Sequence, residues 1–191
     1  MKDGAGWNIL REETLLETPY LSVVREEMAT PFQPEGTQWL NVRRKQAVVI
    51  APRTSEGNFV LIHQQRIPAR RVFWEFPAGQ IDGEVMKGSI HETALRELAE
   101  ETGYIPREGR LDKLGGYFAS PGFTNEFMHL FIAHDVELHA AGRKPEESEC
   151  ILEVKEFSAI ALKTMIRKGE IQDANTLVLV AKMLVLDLFN T

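Results

Sequence analysis

Arg96-Glu97-Leu98-Ala99-Glu100-Glu101-Thr102-Gly103 is the stretch that decides how this chain is read. Glu97 and Glu101 are four positions apart and Glu97 and Glu100 three apart, so on a helix all three acids project from one side. Like charges so placed cost a few tenths of a kcal/mol per pair, roughly, in an isolated helix. Arg96, four residues before Glu100, offsets part of that, and a bound cation would offset more. On the residues alone two readings stand: a solvated acidic face, or a set of carboxylate ligands for a hard cation such as Mg²⁺.

Working outward, Ile90, Ala94, Leu95 and Leu98 recur at helical spacing, Ser89 is placed to cap the helix with Glu92 closing a capping box, and Gly103 stops it. Upstream, Phe73 to Phe76 reads as a short strand closed by Pro77-Ala78-Gly79. Ala47 to Ala51 and Phe59 to His63 are β-rich apolar runs, joined by what reads as a hairpin loop from Arg53 to Asn58. Before them, Tyr20 to Met28 and Gln38 to Val42 read as strands about a turn at Pro34-Glu35-Gly36. Downstream come β-like stretches at Leu114 to Phe118, Met128 to Val136 and Ile151 to Phe157. Helices follow at Ser158 to Lys168, ended by Gly169, and at Ala174 to Phe189. Strands around a central helix, then terminal helices, predict an α+β fold with helices on both faces of a sheet, and the strands before Gln46 a separate small antiparallel sheet.

Composition sets the outer bounds. The 191 residues suffice for one core with a small added layer. With 22 basic and 28 acidic side chains, the formal charge of −6 argues against a nucleic-acid backbone as partner, because phosphate contacts need clustered Lys and Arg. A small phosphorylated ligand stays open if metal and local arginines screen it. Cys150 is the only cysteine and Met1 to Trp7 has no apolar stretch resembling a signal peptide, so a cytoplasmic location is expected. Thr176 to Phe189, the longest apolar region, is interrupted by Lys182 and Asp187 and too short to span a bilayer, so no membrane partner is expected.

Gly79 followed by Arg96-Glu97-Leu98-Ala99-Glu100-Glu101-Thr102-Gly103-Tyr104 closely resembles the Nudix box, G-x5-E-x7-R-E-U-x-E-E-x-G-U, where U is aliphatic or aromatic. His63-Gln64-Gln65-Arg66, Trp74-Glu75-Phe76-Pro77-Ala78-Gly79, Ser120-Pro121-Gly122 and Ile171-Gln172-Asp173-Ala174 resemble landmarks of the ADP-ribose and ADP-sugar pyrophosphatase branch. The spacing departs at one point. Sixteen residues separate Gly79 from Arg96 where the box has thirteen, so its first glutamate position falls on Val85 or Gly88, with Glu84 the nearest acid.

The resemblance implies an α/β/α Nudix sandwich over residues 46–191, with a mixed sheet, and a small N-terminal antiparallel sheet over 1–45 that serves dimerisation. It implies Mg²⁺, with Mn²⁺ as a substitute, on Glu97, Glu100, Glu101 and the Ala78 carbonyl, and Arg96 orienting a carboxylate. Arg66 would meet substrate phosphate through its guanidinium fork, with Arg70 and Arg71 equally readable as surface charges. Trp74 is read either as core or as a platform for adenine, and Glu75 as a substrate contact or a loop anchor. Pro121 and Glu126 would lie near the terminal ribose, or form a turn with a solvated acid. Glu147 or Glu149, in an acidic loop before Ile151, would position or deprotonate water. The implied reaction is hydrolysis of the pyrophosphate of ADP-ribose, or of a related nucleoside diphosphate sugar, to AMP and a sugar phosphate by a homodimer. Rival readings are a Nudix hydrolase for a dinucleotide or nucleoside triphosphate, and a Nudix-fold module that binds a nucleotide without cutting it.

Overall fold

A computed structural model of the chain describes residues 6–82, 87–144 and 150–189, and side chains within these save 87–89. Contacts divide it into two units. Residues up to Lys45 with Phe118–Phe127 form one, and Gln46–Tyr117 with Met128 onward the other.

In the first unit β1 (Asn8–Glu17), β2 (Leu21–Thr30) and β3 (Gln33–Arg44) form an antiparallel sheet in that order. The β2–β3 reversal is at Pro31-Phe32, where the Thr30 hydroxyl accepts from the Phe32 and Gln33 amides, and Pro34-Glu35-Gly36 runs inside β3. The threonine turn, a local side-chain-to-backbone motif, takes precedence over the Pro and Gly signal three residues on. Val24 and Glu26 are buried; Glu26 is held by Asn41 and Arg43, and Arg43 also pairs with Glu12.

The second unit starts with β4 (Ala47–Pro52), β5 (Phe59–Arg66), β6 (Arg71–Glu75) and β7 (Ala78–Gln80). Then come α1 (Lys87–Thr102), β8 (Tyr104–Pro106), β9 (Leu111–Phe118), β10 (Phe127–Ala133), β11 (Val136–Leu138), β12 (Ile151–Phe157), α2 (Ala159–Arg167) and α3 (Ala174–Val185). One sheet has the order β7-β4-β10-β9 and is mixed, β4 running parallel to β10 and antiparallel to β7. A second has the order β12-β5-β6 and a third pairs β11 with β8.

Strand β4 is buried on both faces, as an inner strand between layers should be. Its Val48 and Ile50 join Ile90, Ala94 and Leu98 of α1 in one core; Val49 and Ala51 join Leu162, Met165, Leu179, Val180 and Met183 of α2 and α3 in the other. Period-two alternation in the strand thus yields helix, sheet and helix layers, the α/β/α arrangement expected. Three local expectations change. The Arg53 to Asn58 loop does close on itself, Arg53 bridging Phe59, but β4 and β5 then diverge into different sheets. Ser89 lies inside α1, two residues past its start at Lys87, rather than before it. The last helix ends at Val185; Asp187 takes a left-handed conformation and Phe189 folds back, buried, to stack on Phe59 at 5.0 Å.

Candidate metal and substrate site

The inward stripe of α1 carries Thr93, Ala94, Glu97, Leu98 and Glu101, all buried. Glu97 is 6% exposed and Glu101 is fully buried, which removes both from the solvated-face reading. Glu100 and Arg96 sit at the rim. Arg96 donates to Glu97 Oε1 and to Glu100 Oε2, each at 2.6 Å, so one guanidinium bridges two of the three acids. Burial works against the Arg96 cation, but the two carboxylates outweigh it and its pKa rises.

The partner of this stripe is β7. Pro77 and Ile81 exchange backbone bonds with Ile50 and Gln46, so by strand alternation the Ala78 N–H and C=O turn away from β4. The Ala78 N–H meets Glu101 Oε2 at 3.0 Å. At Gly79 the missing side chain is the space that the Glu97 carboxyl group occupies; a Cβ built there would coincide with it. The two buried carboxylates of α1 and the Ala78 carbonyl of β7 are hard oxygen donors. Among the described residues no three acid, imidazole or thiol side chains converge on one point. One or two carboxylates, completed by water and substrate phosphate, is how Mg²⁺ is commonly held, so the residues present fit such an ion.

On the other side of Phe76-Pro77, Glu75 is 2% exposed and takes a bidentate grip from Arg66: Nε at 3.1 and 3.0 Å, Nη2 at 2.6 Å. Burial pushes the Glu75 carboxyl up while Arg66 pulls it down, with a net rise. Arg66 keeps 40% of its side chain exposed, leaving donor edges toward solvent. Arg71 bonds Gln172 at 2.9 Å, and among the described residues no such contact involves Arg70, a left-handed residue after the turn at Ile67–Ala69. Trp74 packs against the α2–α3 core, stacks on His63 at 4.4 Å and meets Phe157 edge-on.

Pro121 and Glu126 belong to the first unit, where Glu126 pairs with Arg44 at 3.1 Å and Asn125 accepts from the Arg44 amide. Glu84, Glu147 and Glu149 lie outside the described residues. The sequence reading missed the Arg44–Glu126 pair, the Gly79 space, and a polar contact from Thr176 to Phe76 at 2.9 Å. Only Gly79 had a local signal, as a glycine closing a strand.

Comparison with known proteins agrees with this geometry. Residues 43–177 match the family model described as the NUDIX domain. The chain is 35% identical over 136 residues to the ADP-ribose pyrophosphatase of Bacillus subtilis (strain 168), covering 71% of this chain and 70% of that one. It is 33% identical over 142 residues to the methanol dehydrogenase activator of Bacillus methanolicus, covering 73% and 72%. A solved ADP compounds hydrolase superposes with a TM-score of 0.76 at 18% identity, over 97% of this chain and 96% of that one, and supports the fold. With more than half its length matched by the domain and a relative of this identity, the chain belongs to the Nudix hydrolase family.

Proposed function

We propose that the chain hydrolyses ADP-ribose: water adds to one phosphorus, the P–O–P bridge breaks, and AMP and ribose 5-phosphate leave. The carrying observation is the burial of Glu97 and Glu101 against Ala78-Gly79 of β7, in a chain similar to an ADP-ribose pyrophosphatase. Hydrolases of this family generally work with a divalent metal. Here Glu97, Glu101 and the Ala78 carbonyl would hold it, with Glu100 as a further ligand. Mg²⁺ is the ion proposed and Mn²⁺ its substitute. Such an ion supplies charge neutralisation at the splitting pyrophosphate and activates water.

The chain's own residues do the rest. Arg96 keeps Glu97 and Glu100 apart from each other's charge and aims them. Arg66, fixed by Glu75, presents its remaining N–H groups to a phosphate oxygen. Glu147 or Glu149 takes the proton from water. Pro121 and Glu126 bound the terminal ribose. Trp74, with one face on His63, offers at most its remaining surface to adenine.

A homodimer through residues 1–45 is part of the same proposal. Support comes from β1, exposed along its whole length with Ile9, Leu10, Leu15 and Leu16 each more than 40% open. Apolar exposure of that extent on one sheet marks an interaction surface. Sedimentation as a monomer at micromolar concentration would refute this part. A cytoplasmic location is proposed from the lone, exposed Cys150; among the described residues no helix is long and apolar enough to cross a membrane.

The deciding experiment incubates the protein and Glu101→Gln with ADP-ribose, other ADP-sugars, GDP-mannose, a dinucleotide and a nucleoside triphosphate, with Mg²⁺, and follows products chromatographically. AMP and ribose 5-phosphate from the unmodified protein, lost in the variant, is the expected result. Turnover confined to triphosphate or dinucleotide moves the chain to another nucleotide class. Tight binding of ADP-ribose without turnover makes it a binding module.

A further inference from the structure

Thr176 stands outside every role assigned so far, yet it is fully buried at the start of α3 with a polar contact to the strand segment that carries the site. Its hydroxyl has one proton and two lone pairs. The proton goes to Asp173 Oδ2 at 2.8 Å, and the same carboxylate oxygen accepts from the Thr176 amide at 2.8 Å as the cap of α3. That leaves the hydroxyl oxygen facing outward as an acceptor, and it takes the Phe76 N–H at 2.9 Å.

Phe76 is where this bond matters. Glu75 ends β6 in the sheet β12-β5-β6, and Ala78 begins β7 in the sheet β7-β4-β10-β9. Between them Phe76 and Pro77 carry the chain from one sheet to the other, outside the named strands. Pro77 has no N–H, and its carbonyl takes the Ile50 amide at 3.0 Å. The Phe76 amide is therefore the one donor of the crossover, and Thr176 supplies its acceptor. The crossover separates the Arg66–Glu75 pair from the Ala78–Gly79 segment of β7 by two residues. The charge of Asp173 also acts on Arg66 and Glu75.

We propose that Asp173 and Thr176 are positioning residues for the hydrolysis: the pair pins the Phe76 crossover and thereby holds Arg66–Glu75 and the Ala78–Gly79 segment of β7, against Glu101, in one fixed spacing. The proposal rests on the reading of that segment as the metal site. A shift of about 1 Å in such a spacing costs on the order of a hundredfold in rate, so the pair is expected to act on kcat and on metal binding together.

Three variants test it, read by steady-state kinetics on ADP-ribose and by Mn²⁺ binding followed through the free-ion electron paramagnetic resonance signal. Thr176→Val keeps the shape and removes the hydroxyl; Thr176→Ser restores the hydroxyl without the methyl group. The expected result is a fall in kcat of at least about tenfold and weaker Mn²⁺ binding in the valine variant, with kcat in the serine variant within threefold of the unmodified protein. Both are scored on folded protein, by circular dichroism. Unchanged kcat and Mn²⁺ binding in a folded valine variant would overturn the proposal, because a purely structural contact lowers only melting temperature. Should valine prevent folding, Asp173→Ala at its half-buried position frees the hydroxyl to turn away; it must lower kcat severalfold and weaken Mn²⁺ binding, and unchanged values overturn the proposal. If the unmodified protein binds Mn²⁺ but cleaves no substrate, weaker binding in the valine variant still sustains the positioning role while the hydrolase reading falls.

Discussion

Gly79→Ala isolates the contact between β7 and the helix. The added Cβ would coincide with the Glu97 carboxyl group. Restoring an ordinary carbon contact of about 3.5 Å moves that carboxylate by more than an ångström, breaking its pairing with Arg96 or bending β7 off β4. Gly79 is not left-handed, so alanine is compatible with the backbone, and in a strand it gains about 0.5–1 kcal/mol over glycine. Because the clash is with the far end of the Glu97 side chain, the carboxylate yields before β7 does, and stability should change little while the ligand geometry fails. A displacement of that size corresponds to about a hundredfold in kcat, or roughly 2.7 kcal/mol of transition-state stabilisation. The assay is ADP-ribose hydrolysis across a Mg²⁺ titration, paired with a thermal melt. A folded Gly79→Ala protein with kcat within threefold of the original would refute the placement of Glu97 as a ligand held against this strand.

Arg66→Met strips the buried Glu75 of its partner and should destabilise the protein by about 3 kcal/mol at pH 8. Glu75 already has a raised pKa, and without Arg66 it rises further; the folded state then binds a proton that the unfolded state releases, so stability falls as pH climbs above the ordinary carboxylate range. Urea unfolding should accordingly recover much of the loss at pH 5, and equal destabilisation at both pH values would contradict this. His129, buried with Gln46 on its Nε2 at 2.7 Å, has its pKa pushed down to about 4 by burial, then by Lys113. A lowered imidazole pKa gives stability that is complete above 6.5 and lost as pH falls toward 4, by about 1–3 kcal/mol; His129→Gln should flatten the slope, and a parallel curve would exclude His129 as its source. Phe189→Ala removes a buried ring stacked on Phe59 and should cost about 3–5 kcal/mol in chemical denaturation; a loss below 1 kcal/mol would show that the last turn is not part of the core.

What the sequence disclosed depended on how local each signal was. The α1 face was legible because spacing along a helix fixes which side chains share a side, and Gly103 marks the end with a left-handed turn. Three acids on one side could not say whether that side met water; only β7 lying against it answers that for Glu97 and Glu101. The Arg53 to Asn58 loop looked like a hairpin because its turn is one, but the partners of β4 and β5 come from β10 and β12, distant in sequence. Thr176 and Phe76 are a hundred residues apart, and no local pattern connects them. The Pro34-Glu35-Gly36 turn failed for the opposite reason: Thr30, four positions before Pro34, made a better local turn.

The doubly buried strand β4 has a further consequence, for how the chain reaches this state. Its neighbour β10 follows α1 and β9 in the chain, and β5 waits for β12, which follows later still. Loop entropy must be met before such long-range pairings return any stabilisation, which places refolding in the slower range for mixed domains. On the ribosome, β4 and β5 emerge as bare Val- and Ile-rich segments ahead of β10 and β12, and they stay unpaired on those sides until these partners have been made.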